Sequence, residues 1–183
     1  MNVARTTSEA VEADRRLTTD RLEDAFARWQ AELLGTLYYL TGNHEDARDA
    51  LQETFIKCWR HRDTAADVDN LKAWVFRIAL NAGRDVRGTA WRRRRTALPE
   101  DASLLPAAPC QPPEAKLEQE EQLARLREAI TRLRTEEQEV FLLRQNGDMT
   151  YEEIAIAVGI PLGTVKTRMR MALGRLREAL AVE

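Results

Sequence analysis

The 183-residue chain has little of what small proteins use to staple themselves together or to perform chemistry: two cysteines, two histidines and 6% aromatic residues. Cys58 and Cys110 stand alone, without CxxC or Cys/His spacing, so neither a disulfide framework nor a zinc site is expected. His44 and His61 adjoin no metal or nucleophile motif, and no glycine-rich phosphate loop occurs. The carboxylates fall in helix caps, on polar helix faces or in a linker. An enzyme is therefore not expected, and no cofactor is called for. Long hydrophobic runs are missing too. None reaches the length of a membrane span, and the opening MNVARTTSEAVEADRRLTTD lacks the apolar core of a signal peptide, which points to a cytoplasmic protein without membrane insertion. Alternation of apolar and polar residues at a period of two is also absent, so the expected fold class is all-α.

An excess of charge of one sign is lacking as well: 28 basic residues stand against 30 acidic ones, a formal net charge of -2. A uniformly basic surface is excluded, and any polyanion must be met by local patches. Such patches exist. Arg84, Arg87 and Arg92 to Arg95 form a basic block, followed further along by the acidic Glu114, Glu118, Glu120 and Glu121. Two different contact surfaces follow from that separation.

The apolar periodicity divides the chain. Residues 1–18 are polar and aperiodic and read as a loose tail. Leu22, Phe26, Trp29, Leu33, Leu37 and Leu40 recur at helical steps up to Gly42. Asn43 then caps a second helix with an inner stripe of Ala47, Leu51, Thr54, Phe55 and Cys58. Its outer face collects Asp49, Gln52 and Glu53, with Ile56 almost opposite the core, an arrangement suited to docking. Asp63 to Asp69 is a polar connector. A third helix from about Asn70 turns Leu71, Val75, Ile78 and Ala82 inward, with Trp74 at the margin, where core and surface roles are both open. Arg77, Arg84 and Arg87 project from the other side, yet Phe76 and Leu80 share that side, so another helix should cover part of it. Residues 19–95 thus make one small helical domain. Residues 96–116, with Pro99, Pro106, Pro109, Pro112 and Pro113, cannot sustain a helix and read as a flexible Pro-rich linker. Residues 117–183 form a second helical domain, in which Leu123, Leu126, Ile130 and Leu133 mark one helix and Val140 to Leu143 another buried segment.

The end of that domain carries the sharpest signal. Thr150 and Glu153 make a T-x-x-E capping box. Ile154, Ala155 and Val158 form an apolar stripe, Gly159 permits a sharp turn, and Val165, Met169, Ala172, Leu173, Leu176 and Leu180 share one face of a following helix. Its opposite face centres on Thr167, Arg170, Met171 and Gly174, flanked by Lys166 and Arg177 on one side and Arg168 and Arg175 on the other. Two short helices about a glycine turn, the second basic outside, are a helix-turn-helix that suits a DNA major groove. The plainer alternative is a helical hairpin with a solvated basic face.

Two segments, in this order, resemble the bacterial extracytoplasmic-function (group 4) sigma factors of the sigma-70 family. DARDALQETFIKCWRHRD and LKAWVFRIALNAGRDVRG look like the two functional helices of their region 2, and MTYEEIAIAVGIPLGTVKTRMRMALGRL is similar to their region 4. The resemblance implies a role in promoter-specific transcription initiation, with core RNA polymerase (its β′ clamp helices and β flap) and promoter DNA as partners and an anti-sigma factor as regulator. It implies polymerase contacts at Asp49, Gln52 and Glu53, bordered by Ile56 and Trp59. It implies minus-10 contacts at Asn70, Trp74, Arg77, Asn81, Arg84 and Arg87, and minus-35 contacts at Lys166, Thr167, Arg168, Arg170, Met171 and Arg175. The linker would thread the polymerase cleft, its acidic residues mimicking RNA. Two departures stand out: Met171, where arginine is common, and the acidic LRTEEQEVF of 133–141, where the family is more basic. A stand-alone helix-turn-helix repressor or activator is the alternative, although such proteins read paired half-sites as dimers and no long coiled-coil seam is present.

Overall fold

The computed structural model describes residues 3–96 and 114–181, with side chains over 20–65, 67–89 and 121–181. The Pro-rich connector from 97 to 113, Cys110 within it, and the side chains of Arg92 to Arg95, Glu114, Glu118 and Glu120 lie outside the described residues. Eight helices and no strand occur among the described residues: α1 Val3–Thr41, α2 His44–Arg60, α3 Arg62–Ala66, α4 Leu71–Thr96, α5 Glu114–Thr131, α6 Thr135–Gln145, α7 Tyr151–Val158 and α8 Leu162–Leu180. No helix among them is long and apolar enough to cross a membrane.

The backbone departs from the sequence expectation at three places. First, α1 begins at Val3, so the segment read as a loose tail is helical; alanine, glutamate and arginine there favour helix even without an apolar stripe. Second, the polar connector before α4 contains the one-turn helix α3. Third, α5 starts at Glu114, inside the segment assigned to the linker, directly after Pro113, where a proline no longer interrupts the hydrogen-bond ladder.

The N-terminal unit packs α1, α2 and α4 around Leu22, Leu33, Leu37, Ala47, Ala50, Cys58, Val75 and Ala79, all fully buried. Burial pushes the Cys58 thiol up to about 12, consistent with an inert core thiol rather than a redox trigger. α2 is rotated relative to its predicted inner face. Ala50 takes the buried place assigned to Phe55, which is 37% exposed, and Ile56 is half-buried rather than the exposed residue. Small Ala47 and Ala50 let α2 approach α1 closely, and Phe55 is levered out to the rim. Its ring still finds partners, edge-on to Phe26 at 5.1 Å between centroids and stacked on Trp59 at 5.8 Å.

The C-terminal unit packs α5 to α8 around Ile130, Leu133, Val140, Leu142, Leu143, Met149, Ile154, Val165, Met169 and Ala172. Leu123, midway along α5, and Leu180, the last residue of α8, were both predicted inward and are exposed. Within α7, Ala157 is the buried small residue, and Ala155 is half-buried.

The two units form one body. α4 packs on α7, and α1 packs on α6, so the apolar positions on the arginine side of α4 are covered as expected: Phe76 and Leu80 are 0% and 1% exposed. Gly147, just after α6, lies at this seam. A Cβ there would lie 2.6 Å from the Leu143 carbonyl oxygen and 3.3 Å from Phe76 Cε1. That oxygen already accepts the Met149 N–H at 3.2 Å, so it cannot yield freely. Gly147→Ala is expected to lower stability by about 1–3 kcal/mol, in the range of overpacked cores, as a lower urea midpoint at unchanged slope. A midpoint equal to the parent's would show that the α6 end relaxes at no cost.

Candidate nucleic-acid interface

Thr150 opens α7 with a complete capping box: its hydroxyl accepts the Glu153 N–H at 3.2 Å, and Glu153 Oε2 accepts the Thr150 N–H at 2.8 Å. The Thr150 N–H above all, with the Asn70 amide and the Thr150 hydroxyl, holds the Glu153 carboxyl below its ordinary value of 4.5. Gly159 then adopts φ 74°, a left-handed conformation that side chains with a Cβ resist. The N–H groups of Gly159 and Ile160 both donate to the Ala155 carbonyl, at 2.9 and 3.1 Å. This closes α7 and turns the chain into α8 after only Gly159, Ile160 and Pro161. Val165, Met169, Ala172 and Leu176 bury the inner face of α8.

What remains outside is the predicted basic face. Lys166, Thr167, Arg170 and Met171 are exposed, and Arg168 is half-buried. Lys166 and Arg170 have no intramolecular partner among the described residues, so their charges are available to a polyanion. Thr167 donates its hydroxyl back to the Gly163 carbonyl at 3.0 Å. Arg175 is engaged differently from the expectation. Its Nη1 donates to Glu137 Oε2 at 2.8 Å, and that carboxylate is only 4% exposed. A buried carboxylate without a partner is costly, so Arg175 first of all neutralises the α6–α8 packing.

The residues expected to face minus-10 DNA lie together at the start of α4 and along it, but four of them, Asn70, Arg77, Arg84 and Arg87, bond to the C-terminal unit. Asn70 caps α4 by accepting the Ala73 N–H at 2.9 Å, and its amide donates to Glu153 Oε1 at 3.1 Å. Arg77 donates through Nε to the Ala157 carbonyl at 3.2 Å and through Nη2 to the Ile156 carbonyl. Arg84 grips Glu139 with two bonds of 2.6 Å and also donates to Asn81 Oδ1 at 2.9 Å. The Glu139 hydrogen bond is the largest influence holding the Arg84 pKa above its ordinary value. Arg87 donates to the Thr135 hydroxyl at 2.6 Å. Trp74 is half-buried and packs against the core. Glu137, Glu139 and Glu153 were not among the predicted site residues. The acidic run of 133–141 was the signal that could have found two of them.

The polar face of α2 forms a third surface. Asp49 and Gln52 are exposed, and Glu53, Ile56 and Trp59 are half-buried. Glu53 is shared with Lys57 at 3.7 Å, and Lys57 also meets Asp85 at 3.2 Å. Beside them runs an open groove of about 340 Å³ lined by Phe26, Ala27, Gln30, Arg48, Leu51, Gln52 and Phe55. Among the described residues no cluster of histidine, cysteine and carboxylates has metal-binding geometry.

Against known proteins, residues 25–96 match the model for sigma-70 region 2, and residues 123–176 match the model for sigma-70 region 4. The chain is 32% identical to the ECF RNA polymerase sigma factor EcfG of Rhodopseudomonas palustris over 167 residues, covering 90% of this chain and 88% of that protein. It is 33% identical to the ECF RNA polymerase sigma factor SigE of Mycolicibacterium smegmatis over 160 residues, covering 86% of this chain and 61% of that longer protein. Among solved structures, it superposes on the sigma factor RpoE of Bartonella quintana, crystallised with the anti-sigma factor NepR, with a TM-score of 0.66 at 26% identity, over 88% of this chain and 97% of that one.

Proposed function

The chain belongs to the extracytoplasmic-function group of the sigma-70 family, and from that premise we propose how it directs promoter-specific transcription initiation. It docks on core RNA polymerase through the α2 face around Asp49, Gln52, Glu53 and Phe55. It reads the minus-35 element in the major groove with Lys166, Thr167 and Arg170, Arg168 gripping phosphate and Met171 meeting a thymine methyl. α4 engages the minus-10 element, where melting requires cations for the phosphates and a platform for unstacked bases; Arg77, Arg84 and Arg87 serve the first need and Trp74 the second. The role is recognition, and the chemistry belongs to the polymerase. Control by an anti-sigma factor is the corresponding mode of regulation.

The observation that carries this reading is the exposed, unpaired Lys166 and Arg170 on a helix held at helix-turn-helix geometry, in the same chain as a separate polar and aromatic docking face. A uniform surface binder has no need of two such faces.

Run-off transcription from a pool of genomic fragments, with purified core polymerase and with or without the protein, tests the proposal. New discrete start sites that require the protein are the expected result. A palindromic footprint on DNA without polymerase, together with no polymerase binding, would replace it with a stand-alone regulator.

A further inference from the structure

We infer that Lys166 is an acyl-acceptor site: an anionic activated acyl donor, either an acyl phosphate or an acyl-coenzyme A thioester, converts its amine to a neutral amide and so weakens the outer face of α8. The inference rests on the DNA-reading role proposed for that face and adds to it a means of regulation.

The observation is how the chain distributes its lysines. Of 28 basic residues only four, Lys57, Lys72, Lys116 and Lys166, are lysines. The distinction matters because a guanidinium stays protonated, whereas a lysine amine can give up its proton and be acylated. Three of the four stand beside carboxylates. Lys57 Nζ lies 3.2 Å from Asp85 and 3.7 Å from Glu53. Lys72 lies over the Trp29 ring at 5.9 Å and acts electrostatically on Glu153. Lys116 stands in the sequence EAKLEQEE, with four glutamates within five residues of it. Lys166 is the exception. It is exposed and has no partner among the described residues. Arg170 follows it by one turn on the same face, Arg168 is two residues away, and the nearest carboxylate along α8 is Glu178, twelve residues on.

An anionic donor is concentrated at a cationic surface and kept from one lined by carboxylates. A lysine held in an ion pair must also leave its partner before it can attack. At Lys166 the deprotonated Nζ adds to the carbonyl carbon of the donor. The N–C bond forms, the C–O bond of an acyl phosphate or the C–S bond of a thioester breaks, and phosphate or thiolate leaves with the electron pair. The amine proton passes to water, and the amide that remains carries no charge. Losing one phosphate contact lowers affinity for duplex DNA about tenfold at about 0.1 M salt. Arg168 and Arg170 cannot follow the same course, so position 166 alone gives this face a removable charge. Asp49, Gln52 and Phe55 on α2 carry no amine, and the acylated chain keeps its polymerase-docking face.

A time course of the full chain with acetyl phosphate and, separately, with acetyl-coenzyme A, read site by site by peptide mass spectrometry, tests this. With at least one donor Lys166 is expected to be acetylated about tenfold faster than Lys57, Lys72 or Lys116, and the effective donor identifies the source. Arg170→Gln should slow that reaction several-fold while leaving the rate with neutral N-acetoxysuccinimide at the parental value. Binding of a fluorescein-labelled duplex of mixed sequence, read by anisotropy, should weaken about tenfold after treatment, and the slope of its logarithmic salt dependence should fall by about one. In Lys166→Arg the same treatment should leave duplex affinity at that variant's untreated value. Acetylation of Lys57 or Lys72 as fast as Lys166 with both donors would overturn the inference, as would selective acetylation that leaves duplex affinity unchanged. Run-off transcription by the untreated protein reads the sigma role separately. Start sites without selective acetylation defeat this inference alone, and selective acetylation with loss of duplex affinity but no start sites defeats only the sigma role.

Discussion

The variant Lys166→Ala/Arg170→Ala is expected to lose promoter-directed transcription by about a hundredfold or more while binding core polymerase as the parent does. The expectation rests on exposure and on the absence of partners. Neither side chain contributes to packing or to an ion pair, so truncation leaves nothing buried and unsatisfied, and thermal stability should hardly change. If each makes one specific contact in the major groove, roughly 1–3 kcal/mol of discrimination is lost apiece. Run-off transcription and a polymerase pull-down measured on the same preparation decide the matter. Parental transcription from the double variant would show that α8 does not read the promoter through this face. Arg175→Ala is the instructive comparison. It strands the nearly buried Glu137 carboxylate, so its cost should appear first in the denaturation midpoint, and any loss of transcription should track the loss of folded protein. Two arginines on one helix thus fail for different physical reasons.

Much of the fold was legible because helix signals are local. The T-x-x-E box, the turn glycine and the inner stripe of α8 lie within one short stretch, and the structure reproduces them nearly residue for residue. The stripe of α1 from Leu22 to Leu40 was equally plain, since each of its apolar residues is separated from the next by three or four positions. What was not legible depends on how much space a neighbour leaves. Of the predicted inner stripe of α2, Ala47, Thr54 and Cys58 are fully buried, but Leu51 is half-buried and Phe55 exposed, while the unpredicted Ala50 is buried, a small group suited to the closeness of α1. Helical spacing locates a stripe to within about one residue's rotation, roughly 100°, and that rotation separates a core phenylalanine from a surface one.

The candidate DNA faces divided in the same way. α8 needs no neighbour to present its cations, and its exposed residues were read correctly as a face. α4 could be recognised as an arginine-bearing helix with buried Phe76 and Leu80 on the same side, yet which helix covers them is a long-range fact. Asn70 lies 83 residues from Glu153, and Arg84 lies 55 from Glu139, beyond any periodicity argument. The sequence held one clue, the acidic 133–141, which looked like missing phosphate contacts. In the structure those carboxylates are not idle: Glu137 neutralises Arg175 and Glu139 neutralises Arg84. Positions that the resemblance led one to expect basic meet arginines as anions.

The rotation of α2 changes which residue should anchor the polymerase. Phe55→Ala is expected to weaken binding to purified core polymerase at least thirtyfold, the loss of about 2 kcal/mol that marks an aromatic hot spot. Ile56→Ala is expected to have a small effect. Phe55 is 37% exposed and lies at the centre of the face: Gln52 shares its groove, Trp59 stacks on it one turn along, and Phe26 supports it edge-on from α1. Such a ring is held in place before binding, so little rotamer freedom is lost when a partner covers it. Asp49 and Gln52 supply the polar rim around it. The folded chain gives up two ring contacts, about 0.5–1.5 kcal/mol each, together with the buried part of a ring that is 37% exposed, so a denaturation midpoint is measured beside the titration to establish that the variant is folded. An intact affinity in Phe55→Ala with a large loss in Ile56→Ala would mean that α2 turns on binding, bringing the originally predicted face outward. Loss in neither would move the contact off this part of α2, to the acidic side around Asp49 and Glu53, where charge reversal rather than truncation is the informative change.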